Sequence, residues 1–158
     1  MTTDYQVDNR LIFSREDHAE ARITSRWKVE QEKLHELFPN AVLMTTGARP
    51  IERVRFTVNT RFDTQRAIFL DIPANYPNGI PRAFGDGWHP EEREVGDEFQ
   101  HIYPDYRLCI QDDNQWSRDG SIALALARTA KWIDKYEMWL RSGDPGSRRW
   151  PGSQHRGG

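Results

Sequence analysis

Apolar residues in the first part of the chain recur every three to four positions, the spacing of one face of an α-helix. These positions are Ile23, Trp27, Leu34 and Leu37 or Phe38, with Glu30 on the same stripe. Ser14 can cap the start of this helix because Asp17 follows three residues later, and Pro39 ends it. The pattern predicts one amphipathic helix over residues 14–38, after an N-terminal arm over residues 1–13.

The next segments change from helical spacing to the two-residue alternation of a β-strand. A short apolar run at 41–46 and turn residues at 47–50 precede an alternation of apolar and polar residues over 53–58. A third run at 66–72 is rich in β-forming residues and ends at a proline, and residues 82–84 are a candidate fourth strand. Three or four strands in an antiparallel meander are the simplest arrangement.

A long loop and a second helix complete the pattern. Periodicity is lost from residue 73 to residue 101, where prolines and glycines are scattered, and unpatterned stretches of this length are often functional. The positions that then return at helical spacing are Ile122, Leu126, Ala130, Ile133, Tyr136 or Glu137, and Leu140. This helix is predicted to be capped by Ser117 or Asp119 and to end near Ser142. Residues 143–158, rich in Gly, Pro, Ser and Arg, are expected to form a flexible C-terminal tail.

The order of elements predicts one α+β domain over residues 14–142, and the composition fits a single core. Basic and acidic residues nearly balance, at 22 and 24, so we expect neither nucleic acid nor a membrane as a partner. The polar start of the sequence lacks the layout of a signal peptide. A single cysteine cannot form an internal disulfide, and these features together predict a cytoplasmic protein.

Candidate chemistry concentrates in residues 101–116, HIYPDYRLCIQDDNQW, which hold the chain's one cysteine. Cys109 lies between two aliphatic residues, with His101 eight residues before it and Asp112 and Asp113 just after. A single thiol among His and Asp residues is a candidate nucleophile. A buried small hydrophobe remains the alternative interpretation of a cysteine with such neighbours.

Several short motifs follow one another in a fixed order. They are Tyr76-Pro77 with Pro81 following, a long loop, Leu108-Cys109-Ile110, Trp116-Ser117 and an Ile/Leu-rich helix. In this order they resemble the ubiquitin-conjugating enzyme family, over roughly residues 14–140. The resemblance implies a UBC-like fold, with an N-terminal helix, a β-meander, a long active-site loop and a long C-terminal helix. It also implies that Cys109 is the catalytic cysteine.

The family's His-Pro-Asn tripeptide has no match in its usual place. Its asparagine would lie eight residues before the cysteine, where this chain has His101. A His89-Pro90 pair lies twenty residues before Cys109. Either histidine stands in for the asparagine, or the loop is longer and His89 takes the role. The family's acidic or serine gate after the cysteine also has no clear match. Such departures are similar to those of bacterial relatives, including conjugating enzymes of CBASS antiphage systems, which join the C-terminal glycine of a cyclic-nucleotide synthase to a target amine.

The chemistry of acyl transfer assigns predicted roles to these residues. Cys109 would carry the acyl group as a thioester, and His101 would donate an N–H to the tetrahedral oxyanion. Candidates for positioning the acceptor amine are Asp112, Asp113 and Tyr103, with Asp105 a weaker one. The alternatives are a loop hydrogen bond for His101 and a turn and cap role for the Asp112–Asp113 pair.

The predicted partners are a protein donor with a C-terminal glycine, of which a CBASS cyclic-nucleotide synthase is one candidate, and a target lysine. The chain has no Gly-rich phosphate loop, so a separate activating enzyme is needed or the donor arrives already activated. No cofactor or metal is expected, because one Cys and five His show no paired ligand spacing. A catalytically inactive binding module of the same fold and a cysteine thioesterase or isopeptidase using Cys109 and His101 are the two other functions left open.

Overall fold

A four-stranded antiparallel sheet and three α-helices make up the regular structure of the described residues, which confirms the α+β class. The structure is a computed structural model, and it describes residues 8–90, 102–103, 105–110, 116–143, 148 and 150–151. After a short 3-10 helix (Asn9–Leu11), the elements are α1 (Arg15–Ile23), α2 (Arg26–Leu37), β1 (Val42–Met44), β2 (Arg53–Asn59), β3 (Gln65–Asp71), β4 (Arg82–Gly85) and α3 (Ile122–Leu140). No helix among these residues is both long enough and apolar enough to cross a membrane.

The prediction of one helix over residues 14–38 is wrong, because the chain breaks between α1 and α2. Ser25 is extended, with φ −176° and ψ 159°, and its hydroxyl accepts from the backbone amide of Lys28 at 3.1 Å. The hydroxyl of Thr24 donates to the carbonyl of Glu20 at 3.0 Å. The Ser25 hydroxyl thus satisfies an amide that the start of α2 leaves open, and the Thr24 hydroxyl adds a second bond to a carbonyl at the end of α1, so both side chains stabilise the break.

The predicted N-cap of α1 is confirmed, and the predicted N-cap of α3 is wrong. Ser14 and Asp17 form the predicted reciprocal capping box of α1. The cap of α3 is Ser121 rather than Ser117 or Asp119, and the Ser121 hydroxyl accepts from the third amide of the helix at 2.9 Å. Ser117 and Asp119 lie instead in the exposed turn just before the helix, where the Ser117 hydroxyl accepts from the Asp119 amide at 3.2 Å.

The sheet has the predicted meander order, with each strand paired to the next along the chain. The register lines up Val54, Leu70 and Ala83 in one cross-strand row, and all three side chains are fully buried. This row continues to Leu108, which forms an isolated antiparallel bridge with Ala83 and is also buried. The segment around Leu108 therefore extends the core beyond β4, at the edge of the sheet.

The long helix α3 is the centre of the core and is buried on several sides, since all of residues 122–127 are buried. It packs against α2 and β3. Near its end, the buried carboxylate of Glu137 accepts hydrogen bonds from Arg66 of β3, at 2.5 Å, and from Arg141. Burial alone would raise the pKa of Glu137, but these two hydrogen bonds outweigh it and the pKa is lowered. This ion-pair cluster joins the helix to the sheet.

Much of the predicted arm and tail lies outside the described residues, namely 1–7, 144–147, 149 and 152–158. Two described residues of the tail contact α3. The Trp150 ring lies 5.1 Å from that of Trp132, and the Arg148 guanidinium lies 5.0 Å from the Trp139 ring. These contacts bring the chain back onto the helix after it ends.

Candidate active site around Cys109

Cys109 lies on a segment that is attached to the edge of the sheet. The backbone amide of Leu108 donates to the carbonyl of Ala83 in β4 at 2.8 Å, and Leu108 also bridges Ile102. Leu108 points into the core, whereas Cys109, the next residue, is a free cysteine that is partly exposed. The sheet therefore holds the thiol at its rim, within reach of solvent.

A tight turn precedes the cysteine and connects the two sides of this small hairpin. The amide of Tyr103 donates to the carbonyl of Arg107, and the amide of Tyr106 donates to the carbonyl of Tyr103, both at 2.8 Å. Tyr106 has a φ of 68°, a left-handed conformation that costs a non-glycine residue about 1–3 kcal/mol. The Asp105 carboxylate accepts from the amide of Arg107 at 3.1 Å. Its contact in the described structure is thus with the turn backbone and not with the thiol.

Three polar or reactive side chains share one face of this hairpin. Side chains alternate along extended backbone, so Arg107 and Cys109, on either side of Leu108, point the same way. Tyr103 lies across from Arg107 in the hairpin. The guanidinium carbon of Arg107 is 3.9 Å from the centre of the Tyr103 ring, and the thiol donates to the Tyr103 hydroxyl with 3.7 Å between Sγ and Oη. Tyr103 thus contacts both the cation and the thiol.

Arg107 is a candidate site residue that the sequence analysis missed. Its Nε is buried and has no hydrogen-bond partner within the described structure. Leaving a buried donor without an acceptor costs about 1–3 kcal/mol, and more for a charged group. The two-residue spacing from Cys109 across a buried leucine is the signal that would have indicated it.

Of the remaining predicted site residues, only His89 lies within the described part of the chain. His101, Asp112 and Asp113 lie outside the described residues, and their roles stay predictions. His89, the alternative to His101, is exposed, and its ring stacks on that of Tyr106 with 4.1 Å between the centres. His89 therefore contacts the turn of the hairpin that carries Cys109.

The two motifs that flank the cysteine in sequence meet in the structure. The indole Nε1 of Trp116 donates to the carbonyl of Pro77 at 2.9 Å, across 39 residues of chain. The rings of Trp116 and Tyr76 lie 6.2 Å apart, and the Tyr76–Pro77 bond is cis. Gly120 is required here, because a Cβ at that position would come within 2.7 Å of the Trp116 ring. The Tyr-Pro turn and the start of α3 are thereby packed together.

The buried carboxylate of Glu30 bonds both sides of this junction, the Tyr76 hydroxyl and the first amide of α3. Glu30 of α2 has no exposed surface and accepts from the Tyr76 hydroxyl, from Arg26 Nε at 3.0 Å and from the amide of Ile122 at 2.9 Å. Burial raises the pKa of the Glu30 carboxyl, against the lowering effect of these hydrogen bonds. Burial also raises the pKa of Tyr76 well above its ordinary value, so the phenol stays a donor. In the sequence, the signal for this buried carboxylate was the position of Glu30 on the apolar stripe of the helix predicted over residues 14–38.

Within the described parts of the chain, no three His, Cys, Asp or Glu side chains are grouped so that they could hold a metal ion. Comparisons with protein-family models, with curated proteins and with solved structures give no match to this chain. The residues and geometry around Cys109 are therefore the basis for inferring a function.

Proposed function

We propose that this protein is a ubiquitin-conjugating-like acyltransferase with a UBC-like fold. It carries the C-terminal glycine of a donor protein as a thioester on Cys109 and passes it to a target amine. The observation that carries the proposal is the position of Cys109, partly exposed at the rim of the sheet and hydrogen-bonded to Tyr103. A thiol that is reachable and has polar neighbours suits a nucleophile better than a core-filling residue.

The chemistry requires two substitutions at one carbonyl carbon. In the first, the sulfur of Cys109 attacks the activated carboxyl carbon, the oxygen takes the π electrons, and collapse expels the activating group. In the second, an amine nitrogen attacks the thioester, and collapse expels the Cys109 thiolate while the nitrogen loses a proton. A thioester keeps most of the acyl-transfer potential between the two steps. His101 remains the proposed side-chain donor to the oxyanion.

Two features of the fold support the family assignment within this proposal. The described meander and the long final helix match these two parts of the layout that the resemblance implies. The Tyr76-Pro77 and Trp116 motifs, on which the resemblance partly depends, contact each other directly. Since they are 39 residues apart, their contact indicates a common architectural role.

The proposal also names a donor class and a setting. The donor ends in glycine, and the resemblance to CBASS conjugating enzymes makes a cyclic-nucleotide synthase the first candidate, in antiphage signalling. The acceptor is a protein lysine, and activation comes from a separate enzyme or from a donor that is already activated. We place the reaction in the cytoplasm, where a free thiol stays reduced. No cofactor is needed, because the activated carboxyl supplies the energy for transfer.

The test uses a synthetic peptide that ends in Gly-Gly and is activated as its 2-mercaptoethanesulfonate thioester. Intact-mass spectrometry should show the protein gaining one peptide and the adduct disappearing on treatment with dithiothreitol. The variant Cys109→Ser should give an adduct that forms more slowly and resists dithiothreitol, because an oxyester is not cleaved by thiols. Cys109→Ala should gain nothing.

Other outcomes identify the alternative functions. A wild-type protein that gains no peptide, with a thiol that resists iodoacetamide in the native state, would indicate the inactive binding module. An adduct that decays only to water, whatever amine is added, would indicate the thioesterase. Either result would contradict the proposed transferase.

A further inference from the structure

The face of the hairpin that presents the thiol also carries a cation, Arg107. The Nε of Arg107 is buried without a hydrogen-bond partner within the described structure, while its guanidinium lies 3.9 Å from the centre of the Tyr103 ring. The Tyr103 hydroxyl in turn contacts the Cys109 thiol. Tyr103 therefore contacts both the guanidinium of Arg107 and the thiol of Cys109.

An acyl group on the sulfur would bring an acceptor to this face. The carbonyl oxygen of a thioester is two bonds from Sγ, and alternation of side chains puts Sγ and the Arg107 side chain on the same face of the hairpin. During transfer this oxygen takes up the π electrons of the carbonyl and becomes negatively charged. A guanidinium stacked on this face has five N–H donors, and those other than the buried Nε–H are suited to stabilise that charge.

We propose that Arg107 is a catalytic residue that donates a hydrogen bond to the oxyanion formed when an acyl group enters or leaves Cys109. The assignment rests on the proposed acyl-carrier function. In loading, the Cys109 thiol loses its proton to water, the thiolate attacks the donor thioester, the negative charge moves to the carbonyl oxygen, and collapse expels the donor thiolate, which can take up that proton. Arg107 neither gains nor loses a proton, because guanidinium stays charged throughout. Tyr103 acts as the positioning residue that fixes the guanidinium plane.

A purely structural role for Arg107 makes a different prediction. If the guanidinium only held the turn together by stacking on Tyr103, its loss would loosen the hairpin and affect every reaction of the thiol alike. Alkylation by iodoacetamide is a displacement at a saturated carbon and forms no oxyanion. Comparing acyl transfer with alkylation therefore separates the two roles.

The experiment measures the rate at which the Gly-Gly peptide thioester loads the wild type, Arg107→Ala and Arg107→Lys, with the iodoacetamide rate of each protein alongside. Loss of one oxyanion donor typically slows acyl transfer about 100-fold or more, and this is the expected effect of Arg107→Ala. Alkylation should stay near the wild-type rate. Arg107→Lys should recover part of the loading rate, because it keeps the charge but not the fixed fork of donors.

The matched control is Arg53→Ala. Arg53 also stacks on an aromatic ring, at 4.1 Å from the centre of Phe69, but it belongs to β2, in the interior of the sheet order. Its loss should leave both rates unchanged. Equal loading of Arg107→Ala and the wild type would overturn the assignment, as would equal losses in loading and alkylation. If the wild type itself does not load, the proposed function fails first and the role of Arg107 fails with it.

Discussion

Among single residues, Tyr103 has the effect on Cys109 that is simplest to isolate. Tyr103→Phe keeps the ring beneath Arg107 but removes the hydroxyl 3.7 Å from the sulfur. We expect alkylation of the native protein by iodoacetamide to slow about fivefold, because the hydroxyl can turn to donate to the reactive thiolate and one net hydrogen bond is worth about 1 kcal/mol. Tyr106→Phe, on the same turn, is the control and should react like the wild type. Identical rates for all three proteins would show that the hydroxyl does not assist the sulfur.

Sequence reasoning at this scale identified Cys109 and Tyr103 but not Arg107. A single cysteine and a nearby tyrosine are visible in the sequence, whereas the role of Arg107 depends on the hairpin register that brings Tyr103 across from it. The register cannot be read from residue types, because the turn contains a non-glycine residue with positive φ. The predicted oxyanion donor, His101, lies outside the described residues.

At the scale of elements, the sheet was predicted well and the first helix was not. Alternation of apolar and polar residues marked β2, whereas runs of apolar or β-forming residues marked β1 and β3. The apolar stripe of residues 14–38 predicted one buried helix face, but α1 has no buried residue and exposes Ile23, whereas α2 buries Glu30 and Leu34 of the stripe. Periodicity therefore indicated helical backbone, but it showed neither that the backbone is continuous nor that the apolar side of α1 is buried. The interruption depends on local side-chain bonds at Thr24 and Ser25.

The cap of α3 is tested by a matched pair of serines. Ser121→Ala removes a buried hydroxyl that accepts from the third helical amide and donates to the carbonyl of Leu11. We expect it to lower the free energy of unfolding by about 1–2 kcal/mol, as the loss of a helix N-cap does. Ser117→Ala, in the exposed turn, should change stability by less than about 0.5 kcal/mol. Urea denaturation measures both, and a larger loss from Ser117→Ala would contradict the cap assignment.

The connection between β1 and β2 predicts a pH dependence. Hydrogen bonds from the Arg49 amide and the Thr46 hydroxyl lower the pKa of Glu52 from 4.5 to about 2. Because the folded-state pKa is lower than the unfolded one, this contribution to stability is complete above 4.5 and is lost as the pH falls toward about 2. Glu52→Gln should flatten the change of urea midpoint across that window. If Glu52→Gln keeps the full wild-type change of urea midpoint with pH, the pH dependence comes from other carboxylates and the prediction is wrong.

For the whole molecule, the order of elements followed from the sequence but the junction beneath the candidate site did not. The helices were predicted from periodicity and the strands from alternation or from runs of β-forming residues, and a meander was their simplest arrangement. The junction instead joins side chains from distant parts of the chain, with Glu30 accepting from Arg26, Tyr76 and Ile122. Such contacts exist only once the fold is formed. In the sequence, Glu30 was no more than a polar residue on an apolar stripe.

This junction should dominate the stability of the fold. Arg26→Ala would leave the Glu30 carboxylate buried without its cation, which typically costs about 3–5 kcal/mol. Arg53→Ala is the control, because its ion pair with Asp71 is more than two-fifths exposed on both sides and such pairs contribute about 0–1 kcal/mol. Urea denaturation of both variants compares them directly. Equal losses would show that the junction is not a main source of stability.

Transfer from Cys109 to an amine is tested most directly by a single-turnover chase. Protein loaded with the Gly-Gly peptide is freed of excess thioester and mixed with increasing concentrations of Nα-acetyl-lysine, and intact mass and peptide products are followed over time. We predict that the adduct decays faster as the amine concentration rises and that the peptide is recovered as the lysine amide. Decay at a rate independent of the amine, with only the free acid recovered, would contradict acyl transfer as the function of this site.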